Sequence, residues 1–393
     1  MDTIDKLEHI YCTGCMACAN SCPKKCIEIY SNEEGFIYPK IKKDNCVKCG
    51  ICYKVCPLLN DIVEKNEQIE IYAAQRKDNE IIKSASGGIA SLIAEDIIKK
   101  KGVVYGVVYD EELYAKHIKI DKYEELWRLR GSKYVQSDCS EIYLSIKKEC
   151  ESGKIVGVFG TPCQIAGIKS FLNRTYDNLL LIDIICHGVP SNKLFHNYLD
   201  WKSEKLGYKV EEFNFRDKSR WGWGPYYSIK TIKGKKISNG FLDPYYSAFE
   251  YSEISRESCY RCHYSSLKRV SDITLGDFWG VRKYYNNSNF YINRGVSAVL
   301  INSSKGRNLM NSLKKEMILL DIRKQEVSDG NSCLLRAPKR PVIRNDFYHN
   351  VDLYGFEWAN RIMKKRKRYY LNLVKCMIPS SLKNAIKQIM KRA

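Results

Sequence analysis

Eight cysteines within the first 56 residues fall into two sets of identical spacing. Cys12, Cys15, Cys18 and Cys22 precede Pro23, and Cys46, Cys49, Cys52 and Cys56 precede Pro57. Both sets read C-x2-C-x2-C-x3-C-P, the thiolate spacing that holds a pair of 4Fe-4S cubanes. Two-residue gaps let three sulfurs of one tight loop reach three corners of a cube. The fourth cysteine begins the next segment and serves the other cluster. Cys12, Cys15 and Cys18 are therefore expected to share a cluster with Cys56, and Cys46, Cys49 and Cys52 with Cys22. Zinc would want two separated pairs of ligands instead of triplets, and disulfides would need an oxidising compartment. The chemistry written here is electron transfer.

Four later cysteines also occupy reactive settings. Cys163, in GTPCQ, follows the buried-strand run KIVGVFG and opens a helix; Cys186, in ICHGVPS, ends the run LLLIDIICHG. Cys259 and Cys262 form a C-x2-C pair in SCYRCHYSS. Ligands collect at strand ends and helix starts because free backbone N–H groups face the crevice there. Three readings stand: a third 4Fe-4S cluster, a four-thiolate zinc site, or Cys163 and Cys186 as buried apolar residues. His187 and His263 each follow a candidate ligand, and either could relay protons or be an ordinary hydrogen-bonded histidine. Cys26, Cys139, Cys150, Cys333 and Cys376 fit no spacing and read as structural.

These residues need elements to position them. Residues 1–60 form a ferredoxin-type unit whose connector, CIEIYSNEEGFIYPKIKKD, reads as a hairpin, and 61–70 is a polar linker. Strands alternate with helices over 71–205, which predicts an α/β layer on a mainly parallel sheet. In that stretch Ser86, Gly87 and Gly88 open an amphipathic helix, either as a plain cap or as a phosphate cradle. Over 209–345 short strands and aromatic loops predict an α+β second part; one loop, RDKSRWGWGPYY, could close over a flat ring or pack an edge. Residues 355–393 read as a basic helical tail broken at Pro379.

Composition narrows the class. Hydrophobic content of 44% suits a globular chain of 393 residues, and no run approaches the 18 or so apolar residues of a membrane span. Seventeen cysteines and an acidic, polar N-terminus predict a reducing cytoplasm without a signal peptide. Oxygen-labile clusters predict an anaerobic setting. The stretch 359–393 carries eleven Lys or Arg and no acid, supplying +11 of the formal +20. That tail could contact an anionic inner membrane surface peripherally. No nucleic-acid-binding motif accompanies the charge.

The cysteine pairs together with SGGIASLIA, RGSKYVQS, GVFGTPCQIAGIKSFL, IDIICHGVPS and CYRCHYSSLKRVSDITLGDFWG resemble the coenzyme F420 hydrogenase/dehydrogenase beta-subunit family. The likeness runs from residue 1 to about 345 with the motifs in order. It implies a two-cluster ferredoxin fold followed by a mixed α/β flavin-binding domain, α+β overall. It also implies FAD beside an inner 4Fe-4S cluster held by Cys163, Cys186, Cys259 and Cys262. Ser86, Gly87 and Gly88 then become the expected FAD phosphate contacts. Lys133 could add positive charge to the phosphate or to the reduced flavin's edge, or be a surface lysine. Gly160, Thr161 and Gln164, which flank Cys163, could hydrogen-bond the isoalloxazine or tune the cluster. The expected protein is a flavin- and iron-sulfur-dependent oxidoreductase fed by a soluble electron carrier or redox partner protein. It would reduce a small-molecule two-electron acceptor, a metabolite or a deazaflavin. The rival expectation is a non-catalytic electron-transfer subunit docked to a hydrogenase or dehydrogenase.

Overall fold

The computed structural model describes residues 1–60, 63–285 and 288–377, without the side chains of 375–377. The sequence duplication reappears as a duplication of backbone. Gly14 (φ 69°) matches Lys48 (φ 49°), and Met16 (φ 64°) matches Gly50 (φ 77°), all in the left-handed region. A non-glycine residue there costs on the order of 1–3 kcal/mol, so Met16 and Lys48 are held by what surrounds them. These reversals curl each cysteine loop into a four-residue helix, Ala17–Asn20 or Ile51–Lys54. Between the loops β1 (Ile27–Ser31) and β2 (Ile37–Ile41) pair antiparallel, as the connector predicts.

The strands that follow are β3 (Glu70–Arg76), β4 (Val103–Tyr109), β5 (Ala115–Ile120), β6 (Val156–Gly160) and β7 (Leu179–Ile184). Next come β8 (Glu212–Asn214), β9 (Tyr226–Thr231), β10 (Gly234–Asn239), β11 (Ile273–Asp277), β12 (Ser297–Ile301) and β13 (Met317–Asp321). Eight of them make one sheet in the order β13-β3-β12-β11-β7-β6-β4-β5. Its centre, β11-β7-β6-β4, is parallel, while β12, β13 and β5 run against their neighbours. The sheet is thus mixed, with a parallel middle.

The expected division between 205 and 209 does not divide this sheet. β11, β12 and β13, all from the later segment, return to it, and only β8, β9 and β10 form a separate three-stranded sheet. Burial explains the return. Every residue of β12 is buried, as are Ile273, Thr274 and Leu275 of β11, and strands apolar on both faces belong inside a covered sheet.

The ferredoxin-type unit is built into the body. Ala17, Cys18, Val55 and Cys56 share one core with Tyr143, Ile146, Ile165 and Ile168. Polar ties lock the seam: Ser170 Oγ donates to Val55 O at 2.7 Å, and Arg344 grips Glu34 with both Nη atoms at 2.6 Å. At the other end the helices Phe347–Lys364 and Lys367–Met377 begin the basic tail, with a break in helical geometry at Gly355 (φ 64°). Arg366 and Arg368 reach the buried Glu253 at 2.5 and 2.7 Å. The expected break at Pro379 lies outside the described residues. Among the described residues no helix is long and apolar enough to cross a membrane.

Candidate metal centres

Cys12, Cys15 and Cys56 all lie within electrostatic reach of Cys18, whose thiol burial holds well above the ordinary thiol range. Burial likewise pushes Cys15 up to about 12, with Cys56, Cys12 and Cys163 as its charged neighbours. The second set is equally local. Cys22, Cys46, Cys49 and Cys52 line one cavity beneath Val47 and Ile51. Cys26, read as structural, joins that cavity, its sulfur 3.4 Å from Cys22 Sγ.

The later four cysteines also converge. β6 ends at Gly160, and Thr161 caps the helix Pro162–Leu172 in a reciprocal box with Gln164, which points Cys163 out of the first turn. Cys186 follows β7, and Gly188 (φ 120°) lets its loop close on Ser255 and Cys259, where a Cβ would sit 2.7 Å from Ser255 Oγ. A buried pair, Arg269 and Asp183 at 3.0 Å, ties the segment after Cys262 to the end of β7. Burial pushes the Asp183 carboxyl up although Arg269 pulls it down. Around these supports the Cys186 thiol faces Cys259, Cys163 and Cys262. Burial raises Cys163 to about 11 and Cys259 to about 12.

Cys12, Cys15, Cys18 and Cys56 lie within electrostatic reach of one another, as do Cys163, Cys186, Cys259 and Cys262, and Cys22, Cys46, Cys49 and Cys52 share one cavity. Among the described residues no three His, Cys, Asp or Glu side chains are set as ligands of a single metal ion. Four buried thiolates would repel one another, and burial opposes their ionisation. Cationic iron removes both costs, so each donor set fits a cubane, which spreads its sulfurs over cube corners.

One helix joins the first set to the inner one. Cys163 and Gly167 are four residues apart in Pro162–Leu172, hence on one face about 6 Å apart along the axis. A Cβ on Gly167 would lie 2.9 Å from both Cys15 Cβ and Cys15 Sγ, so glycine is what lets Cys15 seat there. Tyr143 Oη and, at 3.4 Å, Cys139 Sγ donate to Cys15 O. Tyr264 is buried, its hydroxyl within electrostatic reach of Cys15, Cys163 and Cys262.

The expected flavin contacts separate into two groups. Ser86 Oγ donates to Val296 O at 3.1 Å, and the Gly87 amide is taken by Ser297 Oγ at 3.0 Å. Gly88 (φ 82°) lies against the buried Arg76 side chain. These three follow β3, whereas Gly160, Thr161 and Gln164 follow β6, four strand spacings away, about 19 Å. Gln164 is occupied by Thr161 and Ser137, and Thr161 Oγ1 lies 3.2 Å from Cys163 Sγ. Lys133 is half-buried, its amine donating to the carbonyls of Arg128, Leu129, Arg130 and Gly131. Burial pushes that amine down to about 7.

Between the two groups lies a feature without a sequence signal. Trp223 and Trp279 stack at 4.8 Å and 3°, and Arg216 lies over Trp279 at 4.9 Å. Asp277 accepts from Arg216 Nη1 at 2.7 Å and from Trp223 Nε1 at 2.8 Å. Among the described residues Arg216 Nε and Nη2 are buried without a partner. Lys218 donates to Ile81 O, Ser86 O and Arg294 O at 2.6–2.8 Å. The RDKSRWGWGPYY loop therefore packs along the sheet edge and pins the Ser86 turn. His187 Nε2 contacts Glu250 O at 3.1 Å, and His263 is exposed.

The arrangement defines an iron-sulfur protein with a duplicated N-terminal cluster unit set on a mixed α/β body. Residues 11–59 match the 4Fe-4S dicluster domain. Residues 153–325 match the C terminus of the coenzyme F420 hydrogenase/dehydrogenase beta subunit. The chain thus carries an N-terminal 4Fe-4S ferredoxin-type domain, followed by a region similar to the C terminus of that beta subunit. No curated protein sequence matches it. Among solved structures it is similar to a chain of the F420-reducing [NiFe] hydrogenase complex from Methanosarcina barkeri. That match has 17% identity and a TM-score of 0.44, covering 78% of this chain and 94% of that one.

Proposed function

We propose that this chain is an iron-sulfur flavoprotein oxidoreductase. It passes electrons from its two N-terminal 4Fe-4S clusters, through a third held by Cys163, Cys186, Cys259 and Cys262, toward FAD and a two-electron acceptor. The observation that carries this reading is the single helix face on which Cys163 belongs to the inner set and Gly167 seats Cys15 of the first. The order of the sets runs inward, from the lysine-rimmed second, through the first, to the inner one. FAD, when bound, supplies the exchange between one-electron and two-electron chemistry.

The residues that would hold FAD follow the edge from β3 to β6. Unpartnered Arg216 nitrogens fit an anionic group, and the exposed Trp279 ring, stacked on Trp223, fits a flat one. Ser86 and Gly88 lie at one end of that edge and Thr161 and Gln164 at the other.

The test is metal and flavin content after anaerobic purification. The reading expects about twelve irons and one flavin per chain, at four irons per cluster. About eight irons with one zinc would remove the inner cluster and leave the ferredoxin-type unit. Dithionite-reduced protein should then be reoxidised by a small-molecule acceptor. Reoxidation by a partner protein alone would make the chain an electron-transfer subunit.

A further inference from the structure

Five buried arginines stand out: Arg76, Arg216, Arg256, Arg269 and Arg344. Four face a carboxylate within 3.0 Å, respectively Glu95, Asp277, Asp183 and Glu34. Arg256 is 1% exposed, yet among the described residues it makes no ion pair. Its Nε donates to Cys12 O at 2.8 Å, Nη2 to Ile37 O at 3.0 Å and Nη1 to Gln136 Oε1 at 3.3 Å. Its guanidinium lies 3.9 Å from the Tyr38 ring centre. Those acceptors satisfy the N–H groups but leave the buried charge unneutralised, and an unneutralised buried charge is costly.

The missing negative charge has a nearby source. Arg256 holds the loop of the first set through Cys12 O, and three residues later its own segment supplies Cys259, whose amide donates to Arg256 O at 2.9 Å. Cys163 and Cys259 both feel its charge. It therefore lies between the first and inner sets. Among the described residues it makes no hydrogen bond to the second.

We propose that Arg256 is the shared counter-charge of the first and inner centres, a positioning residue that makes both easier to reduce than the second. The inference rests on reading the cysteine sets as cluster ligands. Each four-thiolate centre gains one negative charge with each electron it accepts. A fixed cation in a poorly polarisable interior stabilises that reduced form, and cluster potentials follow local charge and solvent exposure. The second centre, beneath exposed lysines, has only solvent-screened cations. Electrons arriving there accordingly run downhill toward Arg256.

The test is an EPR-monitored redox titration of the anaerobically purified full chain, with iron counted in every sample. In Arg256→Met the reduction equilibria of two centres should fall by tenfold or more, about 59 mV for one electron. The second centre, that of Cys22, Cys46, Cys49 and Cys52, should stay put. Arg256→Lys should keep most of the wild-type values. Gln136→Glu retains the guanidinium but sets a carboxylate against it, and should lower the same two centres. Unmoved potentials in an iron-replete Arg256→Met protein would overturn the proposal. Equal shifts in the Met and Lys variants would also overturn it, since packing would then be the cause. If the Met variant loses iron, unmoved potentials in Gln136→Glu overturn it alone. A wild-type count of about eight irons would instead sink the inner-cluster reading. The Arg256 proposal would then stand or fall on the first centre only.

Discussion

The second cysteine set and the inner set each bring four thiols together, but they are built in opposite ways. Cys46, Cys49 and Cys52 come from one short loop whose left-handed Lys48 and Gly50 make the turns, and Cys22 joins them from the matching loop across the β1–β2 hairpin. Cys163, Cys186, Cys259 and Cys262 come from three loops that meet only because β6 and β7 are adjacent and Arg269 clamps the third loop to β7. The first kind of site is local chemistry that carries its own scaffold. The second is a property of the whole sheet.

The largest effect should separate the two outright. Cys163→Ala is expected to cost about four irons of about twelve and to abolish delivery to a small-molecule acceptor, while the N-terminal centres still take electrons from dithionite. Cys46→Ala should cost a different four and leave the inner centre's EPR signal in place. Loss of all iron in Cys163→Ala would show that the centres are not independent, and would break the contrast.

This difference in construction also decides what the sequence could reveal. Triplets at two-residue gaps are legible because the ligands and the turns that aim them are neighbours. Cys26, Cys139 and Cys333 carried no such signal. Yet Cys26 joins the second cavity, Cys139 bonds to Cys15 O, and Cys333 lies within electrostatic reach of Cys262. Cys163 and Cys186 were visible through strand ends, but Gly167 looked like any small residue in a helix until Cys15 was seen against it. Arg256 was hidden for the same reason, since a buried cation without an acid is apparent only once every neighbour is placed. The return of β11 and β12 to the sheet followed from burial on both faces, which short apolar runs do not announce as one sheet or two.

Acid should act on the inner region more than on the N-terminal one. His117 of β5 is buried, its Nε2 3.1 Å from Phe159 O on the strand that leads to Cys163. Burial pushes its ring down to about 4 from 6.5. The unfolded chain therefore takes up a proton below pH 6.5 that the folded chain refuses. Stability from this group is complete above pH 6.5 and lost as pH falls toward 4, about 3 kcal/mol in all. His117→Phe should flatten that part of the unfolding free energy measured against pH, and an unchanged slope would remove His117 from the account.

The seam between the first and inner sets should be less costly to disturb but more telling. Gly167→Leu places carbon where Cys15 Cβ and Sγ now sit, an overpacking worth about 1–3 kcal/mol. With iron retained, electrons should still load the N-terminal pair but reach the inner centre more slowly in freeze-quench EPR. Unaltered kinetics would place the route elsewhere than along this helix face.

The smallest effect on the fold should be the largest on the donor. Around the second set Lys24, Lys25, Lys43, Lys48 and Lys54 are exposed, and among the described residues none makes an ion pair. Between them Val47 is 59% and Ile51 39% exposed, directly over the cysteine cavity. An apolar spot ringed by uncommitted cations suits an acidic one-electron carrier protein, since complementary charge speeds encounter and a dry centre lets the redox groups approach. Replacing Lys24, Lys25 and Lys48 by Glu should change stability by only about 0.5 kcal/mol. Reduction by an acidic two-iron ferredoxin should nevertheless slow by about tenfold or more at low ionic strength. The gap should narrow as salt shortens the screening length to about 8 Å. Photoreduction by a neutral dye should not distinguish the variant from the parent. A wild-type rate with the ferredoxin that ignores salt would move the inlet away from the second set and reverse the inward order of the three centres.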